Sequence, residues 1–272
     1  MLTKQQLATY DEQGYLLTGL TLSPEETACL KEEFAALSMQ DTPDRILEKD
    51  GKTVRGLHGC HQRSAVFHDL VRHPLLLTTA MAVLGSEVYV HQFKINAKMP
   101  MSGDVWPWHQ DYIFWQREDG MVRPNVVNVA VLLDDATEIN GPLLFVPGSH
   151  KLGLIDVDRS GSAVAGGEAW SSGLSADLDY TISGELLAEL TAEHGIEPMR
   201  GPAGSVMIFD SRIVHGSGTN MSPHSRGMAL VTYNRLDNAL AQVSTPRPEF
   251  LAARTAEALV AHDPGFTLAR SF

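Results

Sequence analysis

From Val88 onward the chain is a succession of short apolar runs cut by turn residues, and this pattern restricts its fold more than any other feature. Val88 to Lys98 alternates with the two-residue period of a strand. Asn125 to Leu133 is rich in Val and Asn, again with strand character. Leu143 to Val146, Ser205 to Phe209 and Met228 to Tyr233 are further runs bounded by Gly, Pro or Asp. Short strands separated by turn signals predict a sandwich or barrel. The residues before Val88 read differently. Leu2 to Gln13 has helical spacing and stops at Gly14, and Tyr15 to Leu20 is a short strand-like run. Ser23-Pro24-Glu25-Glu26 is a helix start, with serine as N-cap and proline in the first turn, and the helix is expected to reach about Leu37. His73-Pro74 opens another helix that ends near Leu84-Gly85. Helices come first and a β core follows, with no internal repeat.

Composition narrows the class of function. At 272 residues, 43% hydrophobic and 20% charged, the chain can bury one large core or two small ones. The formal net charge is −12, from 33 acids against 21 bases, which argues against nucleic acid or an anionic membrane as partner. Cys29 and Cys60 form neither a metal spacing nor a disulfide framework, so a reducing, cytoplasmic location is expected. The polar start MLTKQQLATYDEQGY is no signal peptide, and no window approaches the roughly 20 apolar residues of a membrane span. The expected partner is a small-molecule substrate, and the expected state is monomer or homodimer. Residues 159–179, RSGSAVAGGEAWSSGLSADLD, read as a long loop between strands. It is either a plain surface insertion or an active-site lid.

Trp108-His109-Gln110-Asp111 raises the question of chemistry. On a strand, residues two apart face the same side, so His109 and Asp111 would meet one cation or merely form a polar face. A third ligand decides between these. His215 is the best placed, ending the run from Phe209 and leading into Gly216-Ser217-Gly218. Two histidines and one carboxylate make the facial triad of non-heme Fe(II) oxygenases, leaving three positions open. A zinc hydrolase also uses two histidines and one Asp. Arg226 lies 11 residues after His215, past a proline-containing turn. On a strand antiparallel to that of His215, its planar fork would face the same cavity and suit the distal carboxylate of 2-oxoglutarate.

Together these residues resemble the phytanoyl-CoA dioxygenase family of Fe(II)/2-oxoglutarate oxygenases, and within it the ectoine hydroxylase branch. The likeness runs from about Gly14 to about Leu240. It is carried by VYVHQFKINAK (88–98), WHQDYIFWQREDGM (108–121), NGPLLFVPGSHK (140–151), VHGSGTNMSPHSRG (214–227) and YNRLDN (233–238). The resemblance implies an α+β, mainly β fold: a double-stranded β-helix, or cupin-like jelly roll, with flanking helices. The expected organisation is one dioxygenase domain over 1–272. It comprises a mostly helical flank (1–87), the jelly-roll core (88–240) and a C-terminal extension (241–272). The resemblance also implies Fe(II) at His109, Asp111 and His215, 2-oxoglutarate held by Arg226 with Lys98 and Ser217, and O2 as oxidant. Gln92 and Trp115 fall where ectoine hydroxylases contact substrate, and Asn96 shares a strand face with Gln92 and Lys98. Related halogenases carry Gly or Ala where Asp111 stands, so hydroxylation is favoured over halogenation.

Two departures put ectoine itself in question. Arg235 replaces a smaller polar residue, and either pairs with a substrate carboxylate or sits in a surface salt bridge. The stretch Arg55 to His61 differs too; His58 and His61 read as exposed loop residues, with the mouth of the pocket as the alternative. Trp115 either packs on the apolar side of a substrate or is an ordinary core tryptophan. His150 reads as structural, and His91 and His224 are not expected to be ligands. The expected reaction is hydroxylation of an unactivated C–H in a free amino acid or amino-acid derivative, with release of succinate and CO2. The alternatives are oxidation of a natural-product acid and a cupin-like binding protein that kept only the fold.

Overall fold

Thr3 and Gln6 cap α1 (Lys4–Gln13) reciprocally, and the chain leaves that helix through Gly14 at φ 80°. The structure is a computed structural model that describes residues 2–159, 170, 174 and 176–269. β1 (Tyr15–Thr21) follows α1 directly. Ser23 and Glu26 form a second capping box on α2 (Pro24–Ser38), with proline in its first turn. Next come β2 (Arg45–Leu47), β3 (Val54–His58), α3 (Ala65–Leu70) and α4 (Pro74–Leu84), which stops at Gly85 in the left-handed region. The core then runs β4 (Val88–Lys98), β5 (Trp106–His109), α5 (Asp111–Arg117), β6 (Val126–Leu132) and β7 (Leu143–Phe145). It ends with α6 (Gly184–His194), β8 (Glu197–Pro198), β9 (Ser205–Asp210), β10 (His215–Ser217) and β11 (Arg226–Arg235).

The strands form two sheets, ordered β1-β9-β6-β11-β4-β3-β2 and β5-β10-β7-β8, with antiparallel pairing throughout. The strand pattern predicted a sandwich or barrel, and these two facing sheets make the jelly roll that the resemblance implies. The larger sheet is covered on both faces, which explains the nearly continuous apolar run of β6. Val127, Val129 and Val131 pack with Leu30, Phe67 and Leu76 of the helices. Ala130 and Leu132, pointing the other way, pack with Phe145, Phe209 and Leu230 between the sheets.

Two expectations need adjustment. The stretch 1–87 is more than a helical flank, because β1, β2 and β3 supply three strands of the larger sheet. Its apolar runs are short there, and Val54–His58 gains strand conformation only by pairing with β4, and Arg45–Leu47 only by pairing with β3. The extension after β11 crosses back over the sheet as an irregular strap. The amides of Ala253, Leu259 and His262 donate to the carbonyls of His91, Val88 and Arg72. The lid reading of 159–179 falls mostly outside the described residues. Of the described part, the Leu174 carbonyl accepts from Arg55 Nε at 3.1 Å and Asp177 pairs with Lys49. No helix among the described residues is long and apolar enough to cross a membrane.

Candidate active site

His109 ends β5 and His215 begins β10, and the two strands pair with these residues opposite each other. Side chains of such a pair project to one face, and the ring centroids are 4.3 Å apart. Nδ1 of His109 lies 2.7 Å from the Pro107 carbonyl, and Nδ1 of His215 lies 3.0 Å from the Ile213 carbonyl. A carbonyl only accepts, so each Nδ1 carries the proton and each Nε2 keeps its lone pair for a metal. Burial, and then His109, hold the His215 ring down to a pKa of about 3, so it is neutral at physiological pH.

Asp111 completes the group. Its Oδ1 is 3.7 Å from His109 Nε2 and its Oδ2 is 3.9 Å from His215 Nε2. The three ligand atoms lie within 4.8 Å of one another, and all three residues are buried. Burial pushes the Asp111 carboxyl up, but Lys94 and the two histidines outweigh it and hold the carboxyl well below its usual range. Asn128 donates to Oδ2 at 2.9 Å, and Thr232 in turn donates to the Asn128 carbonyl oxygen at 2.7 Å. The carboxylate is thus ionised and orientationally fixed. Two imidazoles and one carboxylate on one side of a shared point, with their outer hydrogen bonds satisfied, suit Fe(II).

The backbone achieves this differently from the strand expected for His109 and Asp111. Asp111 is not on β5; it is the first residue of α5. Gln110 remains extended at φ −113°, ψ 134° before the helix begins, so the two side chains still converge. Gln110 faces elsewhere. Its amide donates to the carbonyls of Gly153 and Arg212, and its oxygen accepts from the Ile155 amide. The expected strand relation of Arg226 also changes. Arg226 begins β11 in the larger sheet, whereas β10 belongs to the smaller one. The two residues line one cavity because the sheets face each other.

That cavity is walled by Gln92, Lys94 and Asn96 on one face of β4, by Trp106, Phe114 and Trp115, and by Leu143, Leu174, Leu178, Phe209 and Leu230. Arg226 Nε and Nη2 donate to the Gly141 carbonyl at 3.0 and 2.5 Å. Among the described residues, its Nη1 has no hydrogen-bond partner, and neither do the buried Ser217 Oγ and Asn96 Oδ1. Buried polar atoms are rarely left so, and a polar co-substrate beside Arg226 would satisfy them. Lys98 does not line the cavity. It pairs in register with Arg226, and its Nζ donates to the Asp104 carbonyl. Burial first, then the Arg226 and Arg55 cations, bring its pKa down to about 6. The direct contact expected from Lys98 is therefore corrected to a place behind Arg226, and Ser217 likewise stands outside the lining residues.

Arg235 is the clearest correction. It sits at the far end of β11 from Arg226 and pairs with Asp237 at 2.9 and 3.0 Å, while its Nη1 donates to the Leu84 carbonyl. It is the surface salt bridge, not a substrate contact. Trp115 is a core tryptophan, 2% exposed and packed edge-on to His91, and it is also part of the cavity wall. Gln92 lines the cavity and donates to the Leu251 carbonyl of the strap. His58 is corrected from exposed loop to buried wall, at 2% exposure. His61 is packed on Phe93 instead. His91 lies 3.3 Å from Asp119, and His150 packs on Gly14 near the Asp11 carbonyl. Neither they nor His224 belongs to the metal group, as expected.

Sequence reasoning missed Lys94 and Arg247. Lys94 had a signal, since it lies between Gln92 and Asn96 in the two-residue period of β4. Its Nζ is 3.4 Å from Asp111 Oδ1. Arg247 had none, because it reaches the wall from the irregular strap, held by Asp119 at 2.8 and 2.6 Å.

Comparison with known proteins places this geometry. The family model described as phytanoyl-CoA dioxygenase (PhyH) matches residues 10–228. The chain is 39% identical over 255 residues to the L-proline trans-4-hydroxylase of Streptomyces griseoviridis, covering 93% of this chain and 94% of that one. It is 35% identical over 264 residues to the ectoine dioxygenase of Halomonas elongata, with 94% and 78% covered. Among solved structures, EctD from S. alaskensis with 2-oxoglutarate and 5-hydroxyectoine matches with a TM-score of 0.81 at 31% identity, over 96% of this chain and 87% of that one. The same enzyme with bound Fe matches with a TM-score of 0.80 at 30% identity, with the same coverage. The family match takes in both histidines, Asp111 and Arg226, and the chain belongs to the phytanoyl-CoA dioxygenase family.

Proposed function

We propose that this protein, an Fe(II)- and 2-oxoglutarate-dependent dioxygenase, hydroxylates an unactivated C–H bond of a free α-amino acid. The observation that carries this reading is the cavity wall. The His109–Asp111–His215 face and the Arg226 donor open onto one space that is polar along β4 and apolar across Phe114, Trp115, Leu178 and Leu230. A small molecule with a charged end and a saturated carbon skeleton fits such a wall. The relatives named for L-proline and ectoine act on molecules of that kind.

His109, Asp111 and His215 hold the metal, and Arg226 Nη1 and Asn96 line the place of 2-oxoglutarate. When bound, iron supplies the oxidising power: 2-oxoglutarate and O2 become succinate and CO2, and one oxygen atom goes to the substrate carbon. The protein contributes placement. The Pro107 and Ile213 carbonyls set both imidazole tautomers, and Asn128 fixes the carboxylate. Gln92 and Trp115 position the substrate, and the apolar wall keeps water from the reacting carbon. Residues 1–272 act as one unit, since the strap reaches the cavity through Arg247. A cytoplasmic monomer or homodimer is the working state; the buried Cys60 is a free thiol, which suits a reducing compartment.

The test is an aerobic reaction with Fe(II), ascorbate and 2-oxoglutarate, offering L-proline and ectoine separately. Mass spectrometry should find a product heavier by one oxygen from L-proline, with equimolar succinate. Coupled hydroxylation of ectoine alone would overturn the amino-acid reading.

A further inference from the structure

His58 ends β3 and pairs in register with Lys94 of β4, so both side chains stand on the sheet face that walls the cavity. We propose that His58 is a specificity-determining residue that donates its imidazole N–H to the carboxylate of the substrate, in a corner shared with Lys94 and Arg247. This rests on the amino-acid reading above and names the part of the substrate that the corner recognises.

Three observations carry it. The first is an unmet bond: His58 Nδ1 is buried and has no hydrogen-bond partner among the described residues. Its neighbours on the wall are engaged. Arg247 spends two nitrogens on Asp119, and Lys94 leans toward Asp111. The second is rigidity. The His58 amide donates to the Asp44 carbonyl at 2.9 Å, and the Gly59 amide donates to the Phe93 carbonyl at 2.8 Å. Gly59 turns at φ 59°, where a Cβ would fall 2.5 Å from Phe250 Cβ. The ring is therefore presented from a fixed turn clamped beneath the strap.

The third is charge. The wall carries Lys94, Arg226 and Arg247 as cations and Asp111 as its carboxylate. Fe(II) and doubly charged 2-oxoglutarate cancel each other, and Asp119 behind Arg247 cancels one cation. With Asp111 against Lys94 or Arg226, one positive charge remains on the wall, which draws the carboxylate end of the substrate to this corner. Burial, then Lys94 and Arg247, hold the His58 pKa down to about 3, so the ring is a neutral donor there. In a positive corner, an N–H points its partner preference at an anion.

The test compares L-proline with L-prolinamide, which keeps the ring and the amine but lacks the carboxylate charge. Wild type should prefer L-proline strongly in kcat/KM. His58→Leu should raise the L-proline KM by roughly 10- to 100-fold, the range for a buried hydrogen bond to a charged group. L-prolinamide should be little affected, so the preference collapses. His58→Gln, which keeps an N–H donor, should recover part of it. Calorimetric binding of L-proline to the Mn(II)- and 2-oxoglutarate-loaded variants should follow the same order. Binding of 2-oxoglutarate itself should not change, which separates this effect from misfolding. A His58→Leu enzyme that still discriminates as wild type overturns the role of His58 while leaving the amino-acid reading intact. A wild-type enzyme that acts on neither L-proline nor L-prolinamide overturns both.

Discussion

Asn128 shows how much of a metal site lies beyond its ligands. Its side-chain nitrogen faces the Asp111 carboxylate and its oxygen faces the Thr232 hydroxyl, so neither end is free to turn. Replacing it with alanine would leave a carboxylate oxygen and a hydroxyl without their partner in a buried place. Asn128→Ala should weaken Fe(II) affinity by about 10- to 100-fold, the usual effect of losing an outer hydrogen bond to a ligand. Titrating Fe(II) into the apoprotein anaerobically checks this, and an unchanged affinity would remove Asn128 from the metal site. His109 and His215 illustrate the same rule through backbone carbonyls, which no substitution removes.

At the scale of elements, β3 ties the sheet to the mouth of the site through Arg55. This side chain is 1% exposed and pairs with Glu48 at 3.0 Å, donates to the Leu174 and Val105 carbonyls, and stacks over Trp106 at 3.8 Å. Arg55→Met strands a buried Glu48 carboxylate and should destabilise the fold by about 3–5 kcal/mol. Adding Glu48→Gln removes that stranded charge, so the double variant should be more stable than Arg55→Met alone. Urea midpoints of the three proteins decide it; a double variant no better than the single would mean that the loss comes from packing. The strand β4 was legible because its two-residue period survives in the sequence. β2 and β3 were not, because short runs such as Arg45–Leu47 carry no period and become strands only by pairing with a neighbour.

For the whole molecule, burial of neutral imidazoles makes stability depend on pH. His58 and His215 have folded-state pKa values of about 3, against an ordinary value of 6.5. Between about pH 6.5 and 3 the unfolded chain takes up protons that the folded chain refuses, so stability falls as pH falls through that window. The depressed carboxyls of Asp111 and Asp119 act in the same direction at lower pH. The metal-free protein should therefore have a lower urea midpoint at pH 5 than at pH 7.5. His58→Leu should reduce that difference by removing one of the buried imidazoles. An equal pH dependence in the variant would show that His58 is not held neutral in the fold.

The sequence by itself determined the strand-rich core, both capped helices and the residues of the triad, because local periods, caps and liganding residue types are written in short stretches. His109, Asp111, His215 and Arg226 were identifiable one by one, and so was the hydroxylase chemistry they imply. Only the tertiary structure decided how they meet: a strand-to-helix junction for Asp111, and two facing sheets for His215 and Arg226. It also decided what the rest of the wall contains. His58 meets Lys94 through strand register, Arg247 arrives from an irregular strap, and Arg235 is carried away along β11 to a surface ion pair. The reason is physical. Ligand chemistry belongs to residue types, whereas a cavity wall is assembled from segments distant in sequence, whose proximity is fixed by sheet register and packing.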